Sequence, residues 1–92
     1  MSGCRLRLYG RVQGVFFRNW TAALANELAV RGWVRNLRDG SVEILAWGEV
    51  EAVKALAAAC RTGSRAAVVE RIEVAPAAGE GPHSGFRVAP TE

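Results

Sequence analysis

Arg18 closes the run GRVQGVFFR, Gly10 to Arg18, in which two glycines stand just ahead of a helical pattern. A glycine-containing turn that leads into a helix N-terminus can aim successive backbone N–H groups at one point, making a nest for an anion. An arginine at the helix start adds a fixed charge and a planar fork that matches phosphate oxygens. The chemistry on offer is the holding of an anionic group such as a phosphate. No lysine–serine ending follows, so GRVQG is no Walker loop, and a turn of this kind on its own more often leaves an arginine in solvent and binds nothing.

What such a turn can do depends on the elements around it. CRLRLYG alternates, with Leu6 and Leu8 on one face and Arg5, Arg7 and Tyr9 on the other, and predicts a strand. Phe17, Trp20, Leu24 and Leu28 recur at helical spacing, which predicts a helix from Phe17 to Arg31 stopped by Gly32. WVRNL and SVEILAW are strand-like, and the Asp39–Gly40 pair between them is a hairpin signal. A second helix is predicted from Glu49 to Arg61, with Val50, Val53, Ala57 and Cys60 inward and Thr62–Gly63 as its stop. AAVVERIEV is a strand whose broken alternation between Val69 and Ile72 calls for a bulge, and FRVA is a short last strand.

The order β-α-β-β-α-β-β predicts an α+β fold: a ferredoxin-like α/β sandwich, two helices against one mostly antiparallel sheet. Its first β-α-β unit makes the two strands parallel. The glycine turn and the end of WVRN then lie at one end of the sheet, so that Arg18 and Asn36 face one space. Alternation puts Asn36 on the face of Val34, away from Trp33 and Arg35.

At 92 residues, 50% of them hydrophobic and 23% charged, the chain reads as one globular domain over residues 1–92. No apolar run reaches the roughly 18–20 residues of a membrane span, and MSGCRLRLYG lacks a signal peptide's apolar stretch, so a cytoplasmic location is expected. Cys4 and Cys60 are expected to be free thiols. The single histidine, His83, and the cysteines match no zinc spacing, so no metal is expected. Net charge is +3, and residues 1–45 hold seven arginines against three acids, so the half with the glycine turn is the basic half and favours an anionic partner. Phe16, Phe17 and Trp20 read as core, Thr21 as a core threonine or a brace for Asn36, and Trp47 as a partly exposed residue on the sheet's open face.

GRVQGVFFR followed by Thr21, and GWVRNLRDGSVE from Gly32 to Glu43, resemble the two signature segments of the acylphosphatase family. The likeness extends over about the whole chain, through Gly63–Ser64 after the second helix and Phe86–Val88 at the last strand. Departures are Arg65, where the family often has proline, and Val68, where it often has arginine. The resemblance implies a five-stranded sheet with two helices on one face, and hydrolysis of a carboxyl–phosphate anhydride to a carboxylate and inorganic phosphate. It implies that Arg18 binds the phosphate with the amides of the loop Arg11, Val12, Gln13, Gly14, Val15, Phe16 and Phe17, and that Asn36 positions the attacking water. No cofactor and no metal are implied. The expected partner is a small-molecule acyl phosphate, with no membrane and no nucleic acid, and a monomer is expected.

The implied chemistry suits the residues. An alkyl phosphate would need a proton donor for its alkoxide, and the site offers no histidine, cysteine or placed carboxylate. An acyl phosphate leaves as a carboxylate whose conjugate acid has a pKa of about 4, and needs none. What remains is positioning and charge stabilisation of the phosphoryl group. Two other functions compete: a nucleic-acid platform, disfavoured by the lack of paired RNP aromatics, and a regulatory domain like that at the front of hydrogenase-maturation carbamoyltransferases, disfavoured by the lack of a linker or zinc-finger segment.

Overall fold

Alternating side chains decide the sheet. In the computed structural model, which describes residues 2–14 and 16–92 (Ser2 by its backbone), β1 spans Ser2–Arg11, with Leu6 and Leu8 fully buried and Arg5, Arg7 and Tyr9 on the opposite face. The elements that follow are α1 (Phe17–Glu27), β2 (Arg31–Asn36), β3 (Val42–Gly48), α2 (Val50–Thr62), β4 (Val68–Pro76) and β5 (Phe86–Val88). They form a five-stranded sheet in the order β4-β1-β3-β2-β5, antiparallel throughout except for the parallel pair β2–β5. This is the expected ferredoxin-like α/β sandwich.

β3 lies between β1 and β2 and is antiparallel to both, so β1 and β2 run the same way and end together, as the β-α-β unit requires. The bulge falls inside the predicted break in alternation. Tyr9 pairs with Arg71 and Gly10 with Val69, which leaves Glu70 as the extra residue of β4. The core lies between the sheet and the helices, with Leu6, Leu8, Val34, Val42 and Ile44 from the strands meeting Phe17, Ala25, Val53, Leu56 and Cys60.

Several local expectations are corrected. Helix α1 ends at Glu27, not Arg31, because the chain reverses through Ala29 at φ 57° and is already extended at Arg31. Gly32 lies within β2, where a Cβ would stand 1.8 Å from the Leu45 carbonyl oxygen of β3. Its glycine serves strand approach, not helix termination. The most buried stripe of α1 is Phe17, Thr21 and Ala25, with Trp20, Leu24 and Leu28 at its flanks, since small residues let the helix backbone come close to the sheet. In α2 the buried residues are Val53, Leu56 and Cys60, so Leu56 joins the expected stripe while Val50 is exposed. Trp47 is 5% exposed rather than open, because the loop after β4 folds over it and its indole N–H donates to the Gly79 carbonyl at 3.0 Å.

On the sheet's other face Glu43 is buried between two arginines, Arg5 at 2.5 Å and Arg35 at 2.6 Å. Burial pushes its carboxyl up, but the bonds from Arg5 and Arg35 outweigh that and hold it below the usual glutamate range. A depressed carboxylate contributes stability that is present above its unfolded pKa and is lost as the pH falls through its folded value. Replacing Glu43 by Gln is therefore expected to lower the urea midpoint at pH 7, and the gap to wild type should narrow below about pH 4. Unfolding curves at pH 7 and pH 3 measure both.

β5, only three residues long, is held from the helix side. The Asn26 side chain of α1 donates to the Phe86 carbonyl and accepts from its N–H, both at 3.0 Å. One amide thereby satisfies both backbone groups of an edge residue.

Candidate active site

The chain leaves β1 at Arg11 and enters α1 through a turn built on two left-handed residues, Gly14 (φ 72°) and Phe16 (φ 59°). At Gly14 a Cβ would meet nothing within 4 Å, so glycine is there for its backbone conformation. Phe16 pays for the same conformation with about 1 kcal/mol or more, being a bulky residue. Packing does not explain it: the ring is 82% exposed, against its expected place in the core. The backbone is turned instead so that the start of α1 opens outward. Phe16 stands at the N-cap without a side-chain cap, and the first turn holds no acid, so the helix's leading N–H groups and the positive end of its dipole are left for an external anion.

Val12, Gly14, Phe16, Phe17, Arg18 and Asn19 line a cleft of about 320 Å³ at this turn. Val12 and Phe17 are each 1% exposed, so their side chains belong to the core and only their backbone is available to the cleft. Arg18 lines the cleft and, among the described residues, makes no ion pair. Among the described residues no group occupies its fork, which can take an incoming anion. Arg11 is exposed at the strand end. Val15, the remaining loop residue of the expected set, lies outside the described residues.

Asn36 ends β2 at the same end of the sheet and does not line the cleft. It shares the helix-facing side of β2 with Val34, and its Oδ1 is buried without a hydrogen-bond partner. Ser64 Oγ, on the loop after α2, is the other such buried oxygen among the described residues, and it too lies at this end. Buried acceptors without partners are rare, and each has bonding capacity that a water can meet.

Gln13 joins the two halves. Its side-chain amide donates to the Leu37 and Ser41 carbonyls, both at 2.8 Å, and Leu37 N–H closes the hairpin onto the same Ser41 carbonyl at 2.8 Å. The turn that forms the cleft is thus tied one residue away from Asn36. This role was hidden in the sequence, because the partners are carbonyls that any residue supplies; the only signal is a two-donor amide inside a glycine turn. The hairpin is stiffened further by Asp39, whose carboxyl accepts from the Ser41 hydroxyl (2.5 Å), the Ser41 N–H (2.9 Å) and Arg7, and is held down at about 2. Thr21 is not part of this bracing: its hydroxyl is buried and donates to the Phe17 carbonyl at 2.9 Å. Replacing Gln13 by Ala should lower kcat roughly tenfold, since small displacements between positioned groups cost rate steeply, and should lower stability by about 1–2 kcal/mol. Steady-state kinetics beside urea unfolding test both.

The family model for acylphosphatase matches residues 4–88. The chain belongs to the acylphosphatase family. An acylphosphatase of Cupriavidus necator is 47% identical over 87 residues, covering 95% of this chain and 92% of its own. The crystal structure of acylphosphatase from Bacillus subtilis superposes with a TM-score of 0.91 at 36% identity, over 97% of this chain and 99% of that one. The fold also matches a part, 12%, of the T. kodakarensis HypF chain, at 29% identity and a TM-score of 0.81. As an acylphosphatase the chain is a hydrolase acting on acid anhydrides, and its reaction is the hydrolysis of acyl phosphates. Neither free cysteine lines the cleft: Cys60 is buried, with its thiol pushed up to about 12 by that burial, and Cys4 is raised by the same cause.

Proposed function

We propose that the turn at 11–18 binds the phosphoryl group of the substrate, that Arg18 is its charged clamp, and that Asn36 positions the attacking water, with no metal required. The observation that carries this reading is the uncapped, left-handed entry into α1 with an uncommitted Arg18 at its mouth. Backbone N–H groups and the guanidinium fork stabilise charge on the phosphoryl oxygens as the bond to the leaving carboxylate lengthens. Asn36 Oδ1 accepts a hydrogen bond from the water and so directs its lone pair at phosphorus. The carboxylate departs without a proton, which makes a general acid unnecessary and leaves little for a metal to add.

The 92 residues act as one catalytic unit, a monomer working in the cytoplasm; none of the described helices is long and apolar enough to cross a membrane. The test is hydrolysis of benzoyl phosphate followed by ultraviolet absorbance, with and without a chelator. Equal, fast turnover in both supports the mechanism. Activity that chelation abolishes would place a metal in the reaction, and a folded protein without turnover would leave the turn a binding site only.

A further inference from the structure

The charges that hydrolysis itself does not use are sorted along the strand axis. The end that carries the phosphate turn also carries Arg11 at the close of β1, Arg38 in the β2–β3 turn, Arg61 in the last turn of α2 and Arg65 in the loop that follows. None of the four makes an ion pair among the described residues. Nearby acids are mostly engaged: Asp39 with Arg7, and Glu92 with Arg35 at 3.4 Å, which leaves Glu70 at the bulge. The opposite end holds Glu27 at the close of α1, Glu49 and Glu51 at the start of α2, and Glu80 in the β4–β5 loop, and among the described residues its basic groups are Arg31, His83, Lys54 in the second turn of α2 and Arg87 beside Trp33.

Two of these arginines sit on segments tied to the phosphate turn. Arg38 follows Leu37, whose carbonyl holds Gln13. Arg65 follows the Gly63–Ser64 pair, where a Cβ on Gly63 would stand 3.3 Å from the Phe17 ring. Arg38 and Arg65 thus stand outside the lining of the cleft but at its end of the sheet, where a field of one sign acts on every further charge a ligand brings.

We infer that this site prefers acyl phosphates whose acyl part carries an anionic group of its own, with Arg38 and Arg65 as the specificity-determining residues. The inference rests on the phosphate-cradle reading above. A matched pair of substrates tests it: 4-carboxybenzoyl phosphate and its neutral isostere 4-carbamoylbenzoyl phosphate, each rate divided by its uncatalysed hydrolysis. The expected result is a preference in kcat/KM for the carboxylate of roughly five- to tenfold at low ionic strength, falling below about twofold at ~0.5 M salt. In the folded double variant Arg38→Gln/Arg65→Gln the ratio should approach one even at low salt. Turnover of both substrates at equal, salt-independent efficiency would overturn the inference and leave the hydrolase reading intact, and so would a preference that persists in the double variant. Turnover of neither would remove the cradle reading and this inference together.

Discussion

Arg18→Ala is expected to lower kcat/KM for benzoyl phosphate by about a thousandfold while leaving the urea midpoint close to wild type. The size follows from what is removed: a charged donor pair aimed at oxygens whose negative charge grows in the transition state, in a cleft where no other side chain of the lining replaces it. The small effect on stability follows because Arg18 makes no ion pair among the described residues, so its loss strands no partner. Arg18→Lys separates charge from shape. A lysine keeps the charge but loses the planar fork, and should restore only part of the rate, on the order of tenfold. Full recovery by lysine would show that charge alone suffices, and an alanine variant within about tenfold of wild type would remove Arg18 from the mechanism.

Asn36→Ala carries the second large effect, a loss of about a hundredfold or more in kcat with KM little changed. A residue that orients water acts after the substrate is bound, so its loss should show in turnover rather than affinity. Its effect on stability points the other way. Asn36 Oδ1 is buried and has no partner among the described residues, and removing an unsatisfied acceptor relieves a cost rather than creating one. The variant should therefore be at least as stable as wild type, measured by thermal or urea unfolding. A variant that keeps its kcat would leave the water to be placed by the turn alone. A variant that loses stability and activity in step would make Asn36 a structural residue.

The strands, the β2–β3 hairpin and the bulge were legible in the sequence because each rests on a local rule, whereas the order of the strands in the sheet was not. Alternation in CRLRLYG, the Asp39–Gly40 turn and the break between Val69 and Ile72 all reappear in the register of the sheet. The two left-handed residues before α1 were half legible: Gly14 announces a special conformation, whereas Phe16 has the chemistry of a core residue and gives no sign that backbone geometry will expose it. Gly32 was recognised as a special position for the wrong reason, since a helix stop and a close strand approach call for the same residue. Trp47 was misplaced because what covers it is a loop, and a loop's path over a sheet leaves no periodic trace. Gln13 and Asn26 work through bonds to distant backbone groups, whose positions exist only once the fold has formed.

The extra residue at Glu70 has a consequence for how molecules meet one another. β4 is the long outer strand of the sheet, nine residues with Val68 and Val74 exposed, and a straight strand of that kind would be a template for another chain to extend. Here the bulge bends it two residues after it begins, Arg71 and Glu73 place charges along it, and Pro76 withholds an N–H at its far end. No uninterrupted stretch of β4 is long enough to recruit a neighbour along its whole length. The irregularity that fits β4 to β1 inside one molecule also blunts that edge as a template for joining a second molecule.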